Sequence, residues 1–163
     1  MTKQHFIELI TAEQGRLRRF LCSLCNGDMY RADDIAQEAL LKAYISFEKF
    51  EGRADFSTWL FRIALNCFYD DSKRKTIQLS DSQNLCDSDG DNTYNSDYAF
   101  EYQELYEALS DLSLDERTVI LLFYMEDKSI KDISSIMNMP SGTVRSHLSR
   151  GRNHLRKFLD KKL

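Results

Sequence analysis

The chain has 163 residues, a formal net charge of −4, 42% hydrophobic and 12% aromatic residues, which suits one ordinary domain or two small ones and excludes a large enzyme or a wholly disordered chain. Only six Gly and one Pro leave few tight-turn residues for a β-rich fold and favour helices. The longest apolar run, Val119–Met125, is far short of a membrane span, and the N-terminus lacks a basic-then-apolar signal layout, so a cytoplasmic protein with no membrane insertion is expected.

The charge is unevenly spread. Residues 1–75 carry 12 basic and 11 acidic groups, residues 76–112 carry nine acids and no Lys or Arg, and residues 113–163 carry 10 basic and 6 acidic groups. Two neutral-to-basic segments therefore flank an acidic one, and each needs its own partner argument.

In chain order, Leu17, Phe20, Leu21 and Leu24 fall at helical spacing, and Asn26-Gly27-Asp28 ends that helix. Ile35, Ala39, Ala43 and Phe47 make the next stripe, with Asp33 or Asp34 expected to cap its start. After a break at Glu51-Gly52-Arg53, Ser57 is placed to cap a third helix carrying Leu60, Ile63, Ala64 and Cys67. Residues 1–75 thus read as a small helical domain. Residues 76–97 contain 13 Ser, Asn, Asp or Gly among 22 and no apolar stripe, so a flexible acidic linker is expected there. Residues 98–163 read as a second all-α domain. Tyr98–Leu109 is helical, Ser113 and Glu116 have capping-box spacing, and Ser129 starts a short helix over Ile130–Met137. A turn at Asn138-Met139-Pro140 leads to a last helix from about Ser141 to Leu159.

The last two helices have a helix-turn-helix layout. At 100° per residue, Val144, Leu148, Leu155 and Phe158 share one side with Gly151, while Gly142, Arg145, Ser146, Ser149, Arg150, Asn153, Arg156 and Lys157 lie opposite. Small residues and arginines on such a face let a helix approach base edges and bond guanine or phosphate in the major groove. The competing reading is a solvated basic face. On the third helix Arg62, Asn66, Tyr69 and Lys73 project together, followed by Arg74 and Lys75. Rings and cations on one surface suit single-stranded nucleic acid, although Trp59, Phe61 and Phe68 are equally suited to a core. Asp34, Gln37, Glu38 and Lys42 form a polar strip fit for a protein partner, or merely complement the helix dipole.

Cys22-x-x-Cys25 has ligand-like spacing, but both cysteines sit in an apolar helical pattern, Cys67 fits a core stripe and Cys86 falls in the linker. No second pair or nearby His completes a tetrahedral set, so no metal or other cofactor is expected. His5, His147 and His154 are dispersed, and phosphate-binding, dinucleotide and nucleophile-elbow motifs are missing. Neither an enzyme nor a small-molecule substrate is indicated.

Together these motifs resemble the extracytoplasmic-function sigma factors of bacterial transcription. Asp33-Asp-Ile-Ala-Gln-Glu-Ala-Leu is similar to part of the family's second region, and Phe56-Ser-Thr-Trp-Leu-Phe-Arg-Ile-Ala-Leu-Asn66 with Asp70, Lys73 and Arg74 resembles its promoter-melting segment. Leu112-Ser-Leu-Asp-Glu-Arg-Thr-Val-Ile-Leu-Leu, Asp132-Ile-Ser-Ser-Ile-Met and Gly142-Thr-Val-Arg-Ser-His-Leu-Ser-Arg-Gly-Arg resemble its fourth region. One departure is Ser141, where the family often has an apolar residue. The resemblance implies an initiation factor with core RNA polymerase, promoter DNA and an anti-sigma factor as partners. Asp34, Gln37, Glu38 and Lys42 would dock on polymerase. Trp59, Arg62, Asn66, Tyr69, Lys73 and Arg74 would hold the melted −10 element. Gly142, Thr143, Arg145, Ser146, Ser149 and Arg150 would read the −35 element. Two alternatives stay open: a freestanding helix-turn-helix regulator with a sensing or dimerising N-terminal domain, and a redox or zinc sensor using Cys22 and Cys25.

Overall fold

A computed structural model describes residues 2–81 and 96–162, with side chains over 2–78 and 103–161. Among the described residues the regular structure is entirely helical. Helix α1 (Lys3–Leu24) ends where Asn26 and Gly27 take φ values of +56° and +87°, and the Gly27 amide donates to the Cys22 carbonyl at 2.9 Å. This left-handed closure satisfies a carbonyl that the helix end would otherwise orphan.

Helix α2 (Met29–Ser46) starts five or six residues earlier than the acidic pair suggests. Asp28, not Asp33 or Asp34, accepts the Arg31 amide at 3.1 Å and caps it. Asp33 and Asp34 therefore lie inside the helix. Helix α3 (Phe56–Asp81) likewise begins before Ser57, whose hydroxyl accepts a hydrogen bond from Lys128 instead of capping. It also runs through residues 76–81, where composition predicts a linker. Loss of the apolar stripe does not stop it, because propagating a formed helix costs far less than nucleating one, and the Thr76 hydroxyl donates back to the Ser72 carbonyl at 3.0 Å. Of the rest of the expected linker, residues 82–95 with Cys86 lie outside the described residues, and residues 96–97 already belong to the next helix, which starts at Ser96 rather than Tyr98.

Helices α1–α3 form one module. Leu17, Phe20 and Leu21 of α1 meet Ile35 and Ala39 of α2 and Leu60, Phe61 and Ala64 of α3, all essentially inaccessible. Each large apolar side chain so buried stabilises the fold by about 1.5–3 kcal/mol. Phe6, Phe47, Phe50, Phe56 and Trp59 close one end as an aromatic cluster. Arg31 ties α2 to α3, pairing with Asp71 at 2.7 Å while lying over the Phe68 ring.

The second module comprises α4 (Ser96–Ser110), α5 (Leu114–Ile120) extended by a π-helical turn over Leu121–Met125, α6 (Ile130–Met137) and α7 (Ser141–Lys162). The expected capping box is present: Ser113 accepts the Glu116 amide, and Glu116 accepts the Ser113 amide. Ser129 caps α6 by accepting the Asp132 amide. Asn138, at φ +53°, turns the chain, and the Ser134 hydroxyl donates to the Met139 carbonyl at 2.6 Å, pinning the turn before α7.

The two modules pack on one another and share a continuous core. The Arg16 Nε donates to Glu126 Oε2 at 3.1 Å and its Nη2 to the Glu126 carbonyl at 3.2 Å. Arg117 Nη1 donates to the Leu24 carbonyl and to Asn26 Oδ1. Lys128 donates to Ser57 and lies over the Phe61 ring. Partners some 70 to 110 residues apart hold α1 and α3 against the α5–α6 corner, an arrangement that no local periodicity announces.

Candidate nucleic-acid and polymerase interfaces

The helix-turn-helix face is assembled from below. Val144 and Leu148 are buried, and Leu155 is partly buried, on the inner side of α7. Gly151 allows α7 to sit tightly on α5: a Cβ there would lie 2.9 Å from Ile120 Cγ1. With the inner side fixed, Gly142, Arg145, Ser146, Ser149 and Arg150 are exposed together, and Thr143 is half-buried at the helix entry. Asn153, Arg156 and Lys157 continue the exposed face. Arg150 leans back along α7, its Nε directed to the Ser146 carbonyl at 3.4 Å and its Nη2 toward His147. These contacts stay within its own helix and are long, so the guanidinium is available for phosphate or guanine.

The α3 strip is less uniform. Arg62, Asn66, Lys73 and Arg74 are exposed, and Asn66, Tyr69 and Lys73 line one shallow groove with Asp70, Ser72, Thr76 and Ile77. Trp59 is half-buried against Phe50, with ring centroids 5.0 Å apart, and shows part of its ring. Phe61 and Phe68 are core residues. Tyr69 departs from the outward projection expected of it. It is half-buried and packs against the core. Burial first, and the Asp115 carboxylate second, push its phenol up to about 12.

On α2, Asp34 and Gln37 are exposed. Glu38 is engaged by Lys42 at 3.0 Å and Arg74 at 3.2 Å, and the hydrogen bond from Lys42 leads in lowering its carboxyl below the usual range. This pairing joins the α2 strip to the basic end of α3. Sequence reasoning missed the apolar continuation: Leu41 and Ile45, 60% and 68% exposed, follow Asp34 at i+7 and i+11 on the same side. Tyr30 precedes them on that side and Tyr44 flanks them. The available signal was apolar residues recurring on the polar side of an otherwise ordinary amphipathic helix.

The three cysteines among the described residues do not form a site. Cys25 and Cys67 are buried and Cys22 half-buried, and burial pushes all three thiols up, Cys25 to about 11. Among the described residues no cluster of His, Cys, Asp and Glu is arranged to hold a metal ion, and no helix is long and apolar enough to cross a membrane.

Fold and surfaces together define a two-module helical protein whose last two helices form a helix-turn-helix. Family models agree: residues 9–76 match sigma-70 region 2 and residues 102–155 match sigma-70 region 4. The chain is 34% identical over 151 residues to the ECF RNA polymerase sigma factor SigW of Bacillus subtilis, covering 85% of this chain and 81% of that protein. It is 32% identical over 144 residues to the RNA polymerase sigma-H factor of Pseudomonas aeruginosa, covering 81% and 75%. It superposes with a TM-score of 0.81 at 27% identity on the sigma factor RpoE of Bartonella quintana, solved in complex with the anti-sigma factor NepR, covering 96% of this chain and 98% of that one. The chain belongs to the ECF family of RNA polymerase sigma factors, promoter-directing transcription initiation factors. The region 2 match removes the reading of residues 1–75 as the sensing or dimerising domain of a freestanding regulator.

Proposed function

We propose that this sigma factor divides its work among the three surfaces described. Asp34, Gln37, Glu38 and Lys42, extended by Leu41 and Ile45, dock on core polymerase. Trp59, Arg62, Asn66, Tyr69, Lys73 and Arg74 hold the unpaired −10 strand, with rings stacking on bases and cations on phosphates. Gly142, Thr143, Arg145, Ser146, Ser149 and Arg150 enter the major groove at the −35 element, where arginine bonds guanine bidentately and the hydroxyls and the bare backbone at Gly142 meet phosphates. The observation that carries this reading is the exposure of Arg145, Ser146, Ser149 and Arg150 on one side of a helix whose other side is locked down by Val144, Leu148 and Gly151.

Each basic patch is small, so affinity of the free chain for duplex DNA is weak and steeply salt-dependent. Polymerase supplies the remaining binding energy by holding both modules on one promoter. The factor acts in the cytoplasm by binding and positioning and performs no catalysis of its own. An anti-sigma factor is its natural antagonist, a reading supported by the superposition over both modules on a relative solved with one. Run-off transcription by core polymerase with and without the chain tests the proposal. Specific transcripts must appear only when the chain is added, and their loss on Arg150→Ala must occur without loss of polymerase association.

A further inference from the structure

Arg152 is an exposed cation of α7 that belongs to none of the three surfaces. At about 100° per residue it falls with Arg145, Ser149 and Arg156 inside about 60° of the helix, on the flank of the side that carries the −35 residues. Its Nε donates to the Tyr124 hydroxyl at 2.6 Å, and its guanidinium carbon stands 5.5 Å from the ring centres of both Phe123 and Tyr124. The two rings meet edge to face with their centres 5.0 Å apart. They reach the same cation because the chain over Leu121–Met125 is a π-helical turn, closed by the Glu126 amide on the Leu121 carbonyl at 3.3 Å. Such a turn holds more residues than an α-helical one, so consecutive side chains diverge less. Phe123 packs against the core, whereas Tyr124 is 57% exposed.

We propose that Arg152 and Tyr124 together form a phosphate site that grips the backbone of the promoter duplex beside the −35 element. This rests on the placement of α7 in the major groove made above. The donors suit an anion. The Tyr124 oxygen accepts from Nε, so its own O–H donates outward. The Nη groups of Arg152 have no carboxylate partner among the described residues and keep the fork that bonds two phosphate oxygens. A free-swinging arginine loses rotamer freedom when it binds; here the rings and the phenol fix the guanidinium beforehand. The position suits a phosphate as well. Arg152 stands about two turns beyond Arg145, about 10.5 Å along the axis. When the first turns of a recognition helix meet base edges, a residue that far along reaches the wall of a groove ~12 Å wide, where the phosphates line up. Such a contact carries no sequence information and fixes the register of the helix on the duplex.

Fluorescence anisotropy of the full chain on a random-sequence DNA duplex, titrated over a range of salt from about 30 to 150 mM, tests the site, because a phosphate contact is felt on any sequence. Arg152→Ala is expected to weaken binding roughly tenfold at the low-salt end and to make the slope of log affinity against log salt shallower by about 0.9, the release of one fewer counterion. Tyr124→Phe keeps both rings and removes one donor, so a roughly threefold loss with an unchanged slope is expected. Arg152→Lys keeps the charge and must keep the slope while losing affinity with the fork. Circular dichroism and urea midpoints verify the fold; if Arg152→Ala does not fold, Arg152→Gln takes its place. A slope equal to the parent's for Arg152→Ala, with a lowered urea midpoint as its only effect, would make the residue a structural brace of α5 and overturn the proposal. Tyr124→Phe binding as tightly as the parent would overturn it too. Arg145→Ala reports on the groove-facing side itself. A shallower slope there with none for Arg152→Ala overturns the phosphate site alone; unchanged slopes for both overturn the placement of α7 in the groove and this site with it.

Discussion

Gly151 offers a sharp test of how α7 is seated. In an exposed helix, Gly→Ala stabilises by about 1 kcal/mol through backbone entropy alone. Here the new methyl would stand 2.9 Å from Ile120 Cγ1, 3.2 Å from its Cδ1 and 3.6 Å from the Glu116 carbonyl. Ile120 is 5% exposed and wedged into the core, so it cannot swing aside freely. Overpacking of this kind costs about 1–3 kcal/mol. Setting ~1 kcal/mol of helix propensity against it leaves a net loss of about 0–2 kcal/mol, centred near 1. For a chain of this size that lowers Tm by about 2–4 °C. The cause is identified by a double-mutant cycle. Ile120→Ala alone costs about 2–5 kcal/mol, and in the Gly151→Ala background its cost must shrink by roughly the clash energy, because the methyl fills part of the cavity. Thermal and urea unfolding of the four proteins measure this. A Gly151→Ala protein more stable than its parent by the full propensity gain, or strict additivity in the cycle, would refute the seating of α7 on α5.

Arg150→Ala is expected to reduce promoter-specific initiation by about 5- to 150-fold, the worth of one bidentate base contact, with co-purification on core polymerase unchanged. Asp34→Lys with Gln37→Ala is expected to weaken core polymerase binding at least ~10-fold by placing like charge and lost hydrogen bonds at the docking strip, measured by competition against the unmodified chain with helicity intact. The Cys25 thiol, raised by burial from 9.0 to about 11, holds its proton in the folded state where the unfolded chain has lost it. Its contribution to stability is therefore complete below pH 9 and disappears as pH rises toward 11, which urea midpoints from about pH 8 to 11 should follow, with Cys25→Ser flattening the decline. Replacing the aspartates of residues 76–112 by asparagine should raise polymerase-free DNA binding, since nine acids without a Lys or Arg among them repel phosphate; unchanged binding at low salt would discard that role.

Most of what depends on neighbours three or four residues away was legible in the order of the residues. The stripes of α1, α2 and α3, the reciprocal cap at Ser113 and Glu116, the turn at Asn138 and the two sides of α7 all follow from local spacing, because helices write their contacts at that period. Even there, Asp28 rather than Asp33 or Asp34 is the cap, since several capping residues close together leave the choice to the backbone's path out of the previous turn. Only the tertiary structure decided where the modules sit and what that hides. Arg16 meets Glu126 and Lys128 meets Ser57 across 110 and 71 positions, distances at which sequence carries no periodic signal and partners are found only when whole surfaces come together. Tyr69 belongs to that second class: its spacing on α3 aimed it outward, and the packing of the core leaves it half-buried.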